Sequence, residues 1–126
     1  MKIYFCPICG NVVDLLEDGG GQLVCCGQPM ELLDPKSEDA GLEKHVPVVE
    51  VDGNKVTVTV GSVLHPMEDA HYITKIFLVV NNKVKRVSLK PGEEPKATFV
   101  VDEDFTTLEA YEYCNLHGLW KTTYNK

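Results

Sequence analysis

Five cysteines, and the way they are spaced, govern what this chain can fold into. Four crowd the first 26 residues, as Cys6-Pro7-Ile8-Cys9-Gly10 and the adjacent pair Cys25-Cys26; the fifth, Cys114, stands alone near the C-terminus. An odd count with an adjacent pair suits a secreted disulfide scaffold badly, so reduced thiolates acting as metal ligands are the better reading. A C-P-x-C-G turn offers two sulfurs to one ion, and its glycine lets backbone N–H groups approach them. Tetrahedral sulfur coordination suits zinc or iron alike. Successive side chains of an extended chain point to opposite sides. Cys25 and Cys26 can therefore share an ion only if the backbone bends locally, and the tetrahedron should be distorted.

A metal also answers a problem of size. Residues 1–33 read as short strands broken by turns: an apolar run at 11–16, the turn Glu17-Asp18-Gly19-Gly20-Gly21, and a return at 22–26. A segment below about 40 residues rarely folds without a metal, a disulfide or a partner. Residues 34–42 are polar, carry Pro35 and Gly41, show no apolar periodicity and read as a linker. Beyond them, strand-like runs cover 46–51, 55–60, 72–80, 83–89, 96–101, 108–114 and 119–124. Residues 55–60, Lys-Val-Thr-Val-Thr-Val, alternate strictly, the period of a strand with one buried face. Asp52-Gly53-Asn54, Asn81-Asn82 and Lys90-Pro91-Gly92 supply turns. No segment holds a helical period with caps. Short strands at this spacing predict an all-β chain whose larger part is an antiparallel, immunoglobulin-like β-sandwich, without the Cys–Trp–Cys core of antibody domains.

The remaining soft metal ligands form a second constellation. His45 sits in Glu43-Lys44-His45-Val46-Pro47, at the junction of linker and strand. His65 and His71 share the loop His65-Pro66-Met67-Glu68-Asp69-Ala70-His71, and Cys114-Asn115-Leu116-His117 sets a thiolate and an imidazole where one turn can aim both at one ion. Loops gathered at one end of a sandwich commonly build sites. Spacing predicts a Cys/His site without revealing that all five residues join it. Met67 and Trp120 read as packing. Nineteen acidic residues against twelve Lys and Arg leave a formal charge of −7. That balance argues against a nucleic-acid or anionic-membrane binder. The longest apolar runs are the length of one strand, and the N-terminus lacks a signal-peptide pattern, so a cytoplasmic protein is expected.

Taken in order, C-P-x-C-G with the adjacent cysteine pair, E-K-H-V-P, H-P-M-x-x-x-H-Y-I and C-N-x-H-G-x-W resemble the motifs of desulfoferrodoxins, the two-iron superoxide reductases of anaerobic and microaerophilic prokaryotes. The likeness spans essentially the whole chain. It implies a desulforedoxin-like four-cysteine iron domain at residues 1–36 and a catalytic β-sandwich at 37–126. Cys6, Cys9, Cys25 and Cys26 match the ligands of the distorted four-sulfur iron. His45, His65, His71 and His117 match the equatorial imidazoles of the catalytic iron, and Cys114 its axial thiolate. Glu43 matches the carboxylate that closes the open position in the ferric state, and Lys44 the positive residue beside it. The resemblance further implies one-electron reduction of superoxide to hydrogen peroxide, rubredoxin or a similar small donor, and a homodimer. Two other readings stand beside it: a binding module with a structural zinc ribbon, and a pure electron carrier.

Overall fold

A computed structural model describes residues 1–37 and 44–126 of the chain. Strands and turns make up the described residues, with no helix among them. They form two compact units, Met1–Asp34 and Pro35–Lys126.

The first unit holds β1 (Ile3–Phe5), β2 (Val12–Asp14), β3 (Val24–Cys25), β4 (Gln28–Pro29) and β5 (Glu31–Leu32). Strand β1 lies between β2 and β5 in an antiparallel sheet, while β3 and β4 pair as a separate hairpin. Among the described residues of this unit, Ile3 and Cys6 alone are buried hydrophobics, while Leu16 is 90% exposed. Apolar burial on this scale does not offset the conformational entropy of ordering the segment.

The second unit contains β6 (Pro47–Asp52), β7 (Lys55–Val60), β8 (Ile73–Val80), β9 (Lys83–Ser88), β10 (Lys96–Val100), β11 (Thr107–Cys114) and β12 (Gly118–Asn125). These strands form two antiparallel sheets, ordered β10-β7-β6 and β12-β11-β8-β9. Each of the seven runs read from the sequence becomes a strand, to within a residue or so at its ends. Val56, Val58 and Val60 of β7 point inward and meet Ile76, Leu78 and Val80 of β8 and Phe99 of β10 in one core. The arrangement is a sandwich. The fourth strand, β9, pairs with the third, where an immunoglobulin constant domain would place it in the other sheet. Asn81 and Asn82 explain that choice: φ of 48° and 64° at two successive residues gives the primed turn that folds β9 directly back on β8.

One irregularity prepares the functional end. Cys114 pairs with Ile73 although Tyr113 pairs with Lys75, so Thr74 bulges out of β8. The extra residue reverses the alternation, which is why Ile73 joins Ile76 and Leu78 in the core despite the odd spacing. None of the described residues form a helix long and apolar enough to cross a membrane.

Candidate metal centres

Cys6 follows β1 directly, and two backbone bonds fold the chain after it into a knuckle. The Cys6 N–H donates to the Asn11 carbonyl at 2.9 Å, and the Gly10 N–H donates to the Cys6 carbonyl at 2.9 Å. Gly10 adopts φ +82°, a conformation glycine takes without strain. The opposite pair solves the problem of adjacent ligands by a tight turn. Cys25 pairs with Gln28, leaving Cys26 (φ 52°) and Gly27 (φ 78°) as the two residues of a primed hairpin turn. The expected backbone bend is therefore a left-handed cysteine. Cys9 Sγ comes within 3.6 Å of Cys25 Sγ, which lies 3.9 Å from Cys26 Sγ. All four sulfurs lie within 4.8 Å of one another.

The electrostatics of this cluster call for a cation. Backbone N–H groups, led by that of Cys9, draw the Cys6 thiol down to about 7. The neighbouring thiols of Cys9 and Cys25 push Cys26 up to about 12, and Cys25 is raised for the same reason. Cys6 ionises readily, while Cys25 and Cys26 resist. A bound metal removes that conflict, because coordinated thiols are deprotonated outright.

The second cluster lies at the end of the sandwich where β7 and β11 finish and β8 begins. Cys114 is the last residue of β11 and has 0% exposure. Burial raises its thiol pKa, against the lowering effect of the Leu116 and His117 backbone N–H groups. His65 leaves the turn after β7, its N–H donating to the Val60 carbonyl at 3.0 Å. Its Nδ1–H donates to the Pro66 carbonyl at 2.7 Å, which leaves Nε2 as the free lone pair, 3.6 Å from Cys114 Sγ. A second partner fixing the tautomer in this way is the usual arrangement around a ligating imidazole. Burial lowers the His65 pKa to about 4, so the ring is neutral at physiological pH.

His71 closes its loop through two backbone bonds with Glu68, each 3.0 Å. Its Nε2 is buried and has no hydrogen-bond partner. Burial lowers its pKa, followed by the charges of His117 and Lys44. His117 Nδ1 stands 3.8 Å from Cys114 Sγ and 3.0 Å from His45 Nε2. One ligand atom from each of His45, His65, His71, His117 and Cys114 falls within a 4.8 Å envelope. Four imidazole nitrogens and one thiolate, with an orphaned buried nitrogen among them, fit iron well.

All nine candidate ligands thus fall into the two clusters, four and five. Lys44 is half-buried beside the second, near enough for its charge to act on His71. Glu43 lies outside the described residues. Sequence reasoning missed Asn115. Its Nδ2–H donates to the Ala70 carbonyl at 3.1 Å and its Oδ1 accepts from the Tyr72 N–H at 2.9 Å, so it ties the loop bearing His71 to the loop bearing His117. Trp120 does pack, as expected, and it packs on the site itself: its ring stacks on His45.

Known proteins give a consistent picture. A family model described as desulfoferrodoxin matches residues 37–123, and one described as desulfoferrodoxin, N-terminal domain, matches residues 1–33. A desulfoferrodoxin homolog of Archaeoglobus fulgidus is 55% identical over 122 residues, which are 97% of this chain and 96% of that protein. The crystal structure of the superoxide reductase from Treponema pallidum superposes with a TM-score of 0.80 at 33% identity, covering 96% of each chain. A superoxide reductase (1Fe-SOR) from Giardia intestinalis covers 67% of this chain and 99% of its own, with a TM-score of 0.60 at 34% identity.

Proposed function

The chain belongs to the desulfoferrodoxin family, and on that footing we propose that it is a superoxide reductase using two irons. Superoxide takes up one electron and two protons and leaves as hydrogen peroxide, with no oxygen evolved. The observation that carries this reading is the convergence of His45, His65, His71, His117 and Cys114 on one 4.8 Å envelope. Iron held there supplies the electron. The protein sets the conditions under which it does so. Neutral imidazoles leave the charge of a bound cation largely uncancelled, which favours an anionic substrate. Cys114 places its single negative donor in an apolar core, where the thiolate persists only against a cation. Lys44 would offer a positive charge to the approaching anion, and Glu43 would be the carboxylate available to an oxidised metal. We take both as the catalytic residues of this proposal.

The electron is replaced by rubredoxin or a comparable small donor, with the iron of Cys6, Cys9, Cys25 and Cys26 as a relay. The setting is the cytoplasm, where the reaction removes superoxide without regenerating oxygen. Pairing of two copies would cover the apolar side chains that the first unit leaves exposed, Ile8, Leu16, Val24 and Leu32 among them. Sedimentation of the iron-loaded protein at micromolar concentration should give about twice the chain mass. A clean monomer with both irons bound would remove the dimer from this account.

The activity is tested by supplying superoxide to the reduced protein and counting products. One peroxide per superoxide consumed, with no oxygen, is the expected result. Half that peroxide accompanied by oxygen would mean dismutation. A protein that binds iron at both sites and leaves superoxide untouched would overturn the reading.

A further inference from the structure

The five donors of the catalytic cluster are held in different ways. Cys114 and His65 are buried against the sandwich core, at 0% and 3% exposure. The loop of His71 is closed by Glu68 and tied down by Asn115. His45 and His117 lie at the outer rim: His117 is exposed, His45 is half-buried, and neither belongs to a strand. One residue touches both. The Trp120 indole lies nearly parallel to the His45 ring, with centroids 4.7 Å apart and 14° between planes. Its Nε1–H donates to the His117 carbonyl at 3.1 Å.

Trp120 is itself fixed. It sits in β12 opposite Glu112 and is 7% exposed. Lys36 bridges the backbone on either side of it: the Lys36 N–H donates to the Leu119 carbonyl at 3.0 Å, and the Lys121 N–H donates to the Lys36 carbonyl at 2.8 Å. The Lys36 ammonium stands 5.1 Å from the indole centroid and donates to the His117 carbonyl at 3.4 Å. We propose that Trp120 is the positioning residue for His45 and His117, and that Lys36 locks it in place. The proposal rests on the metal-binding reading of the previous subsection and adds to it the residue that orients the two rim ligands.

The chemistry of the side chain fits the task. A flat ring face sets the plane of the His45 imidazole, so its lone pair stays aimed at the envelope. A donor on the ring edge fixes the backbone from which His117 projects. Phenylalanine keeps the face and lacks the donor; leucine lacks both. Filling space requires neither the near-parallel alignment nor the hydrogen bond. The cation over the indole adds an attraction of its own.

The test uses the full chain loaded with iron and three variants, Trp120→Phe, Trp120→Leu and Lys36→Met. With the catalytic centre ferrous, iron release to a strong ferrous chelator is timed, and after oxidation the thiolate-to-iron absorption of that centre is recorded. The visible bands of the four-cysteine iron serve as an internal control. Loss of outer-shell support typically weakens metal binding 10- to 100-fold. Release should therefore be faster by roughly ten-fold or more in Trp120→Leu. Trp120→Phe should be intermediate and Lys36→Met a few-fold faster than wild type, with a shifted catalytic band and unchanged four-cysteine bands. Release rates and spectra equal to wild type in all three variants would overturn the proposal. Should Trp120→Leu fail to fold, the other two decide it on the same criterion. If the wild-type chain itself takes up no iron at this cluster, the metal-binding reading falls instead.

Discussion

A net charge of −7 sets the far field of the protein against an anionic substrate, so attraction has to arise locally. Lys44, which directly precedes His45 and whose charge acts on His71, is the residue proposed to provide it. Steering by such a charge changes association rates by about 10-fold or more and fades beyond a Debye length of about 10 Å at 0.1 M salt. Lys44→Ile should slow superoxide capture by roughly ten-fold and flatten or invert its salt dependence. Pulse radiolysis of the ferrous protein over a range of ionic strengths measures this; an unchanged rate and slope would make Lys44 an ordinary surface residue. His65 yields a second test. Its pKa falls from 6.5 to about 4 on folding, so the unfolded chain binds the extra proton in that window. Its stabilising contribution is complete above about pH 6.5 and is lost as pH falls through about 4. In metal-free protein, the Tm advantage of wild type over the non-titrating His65→Gln should therefore shrink between pH 7 and pH 4, as followed by circular dichroism. The candidate ligands were legible in the sequence because soft donors are few, while spacing left open that all five of the second cluster share one site, a set that only the motif resemblance implied. Asn115 was not: its work is to bond backbone groups more than 40 residues away, and no spacing rule reports that.

At the scale of the element, two devices place ligands, and both act through backbone geometry. The Thr74 bulge restores Ile73 to the core beside Cys114, and the primed turn at Cys26-Gly27 folds two adjacent cysteines around one point. A left-handed conformation costs a non-glycine residue about 1–2 kcal/mol, and a β-branched one more. Gly27→Val should therefore loosen the β3–β4 turn and release the four-cysteine iron to chelator several-fold faster, while the thermal unfolding of the sandwich stays put. Equal release rates would show that the turn follows the metal and does not place it. The strands of the sandwich could be read directly, since runs of six to eight residues display their period. Strands β1, β4 and β5 could not, because two or three residues show no alternation. The bulge leaves one trace, the odd spacing of Ile73 and Ile76 around Thr74 and Lys75, but the unbroken apolar run 76–80 that follows offers no alternation against which to read it.

At the scale of the molecule, the two units draw stability from different sources. The first has two buried hydrophobics and a metal cluster; the second has a core spanning both sheets. Cys9→Ser should abolish the colour of the four-sulfur iron while leaving the sandwich transition and most of the direct superoxide reaction in place. Cys114→Ser should do the reverse, and equal loss of both centres in either variant would mean that the units bind metal as one. A consequence for assembly follows from where the catalytic donors lie along the chain. His45 and His117 meet across 72 residues, and Thr122 of β12 donates to the Pro47 carbonyl of β6 at 2.7 Å. The first and last strands of the sandwich must come together before these donors share one envelope, and closing a span of that length carries an entropy cost that long-range contacts have to repay. Of the five donors only Cys114 belongs to the core that spans both sheets, so the sandwich should fold empty and be armed afterwards. A cell short of iron should then hold a folded reserve of this unit, ready to be charged when the metal returns, whereas the N-terminal unit, with two buried hydrophobics, should depend on its metal to stay ordered.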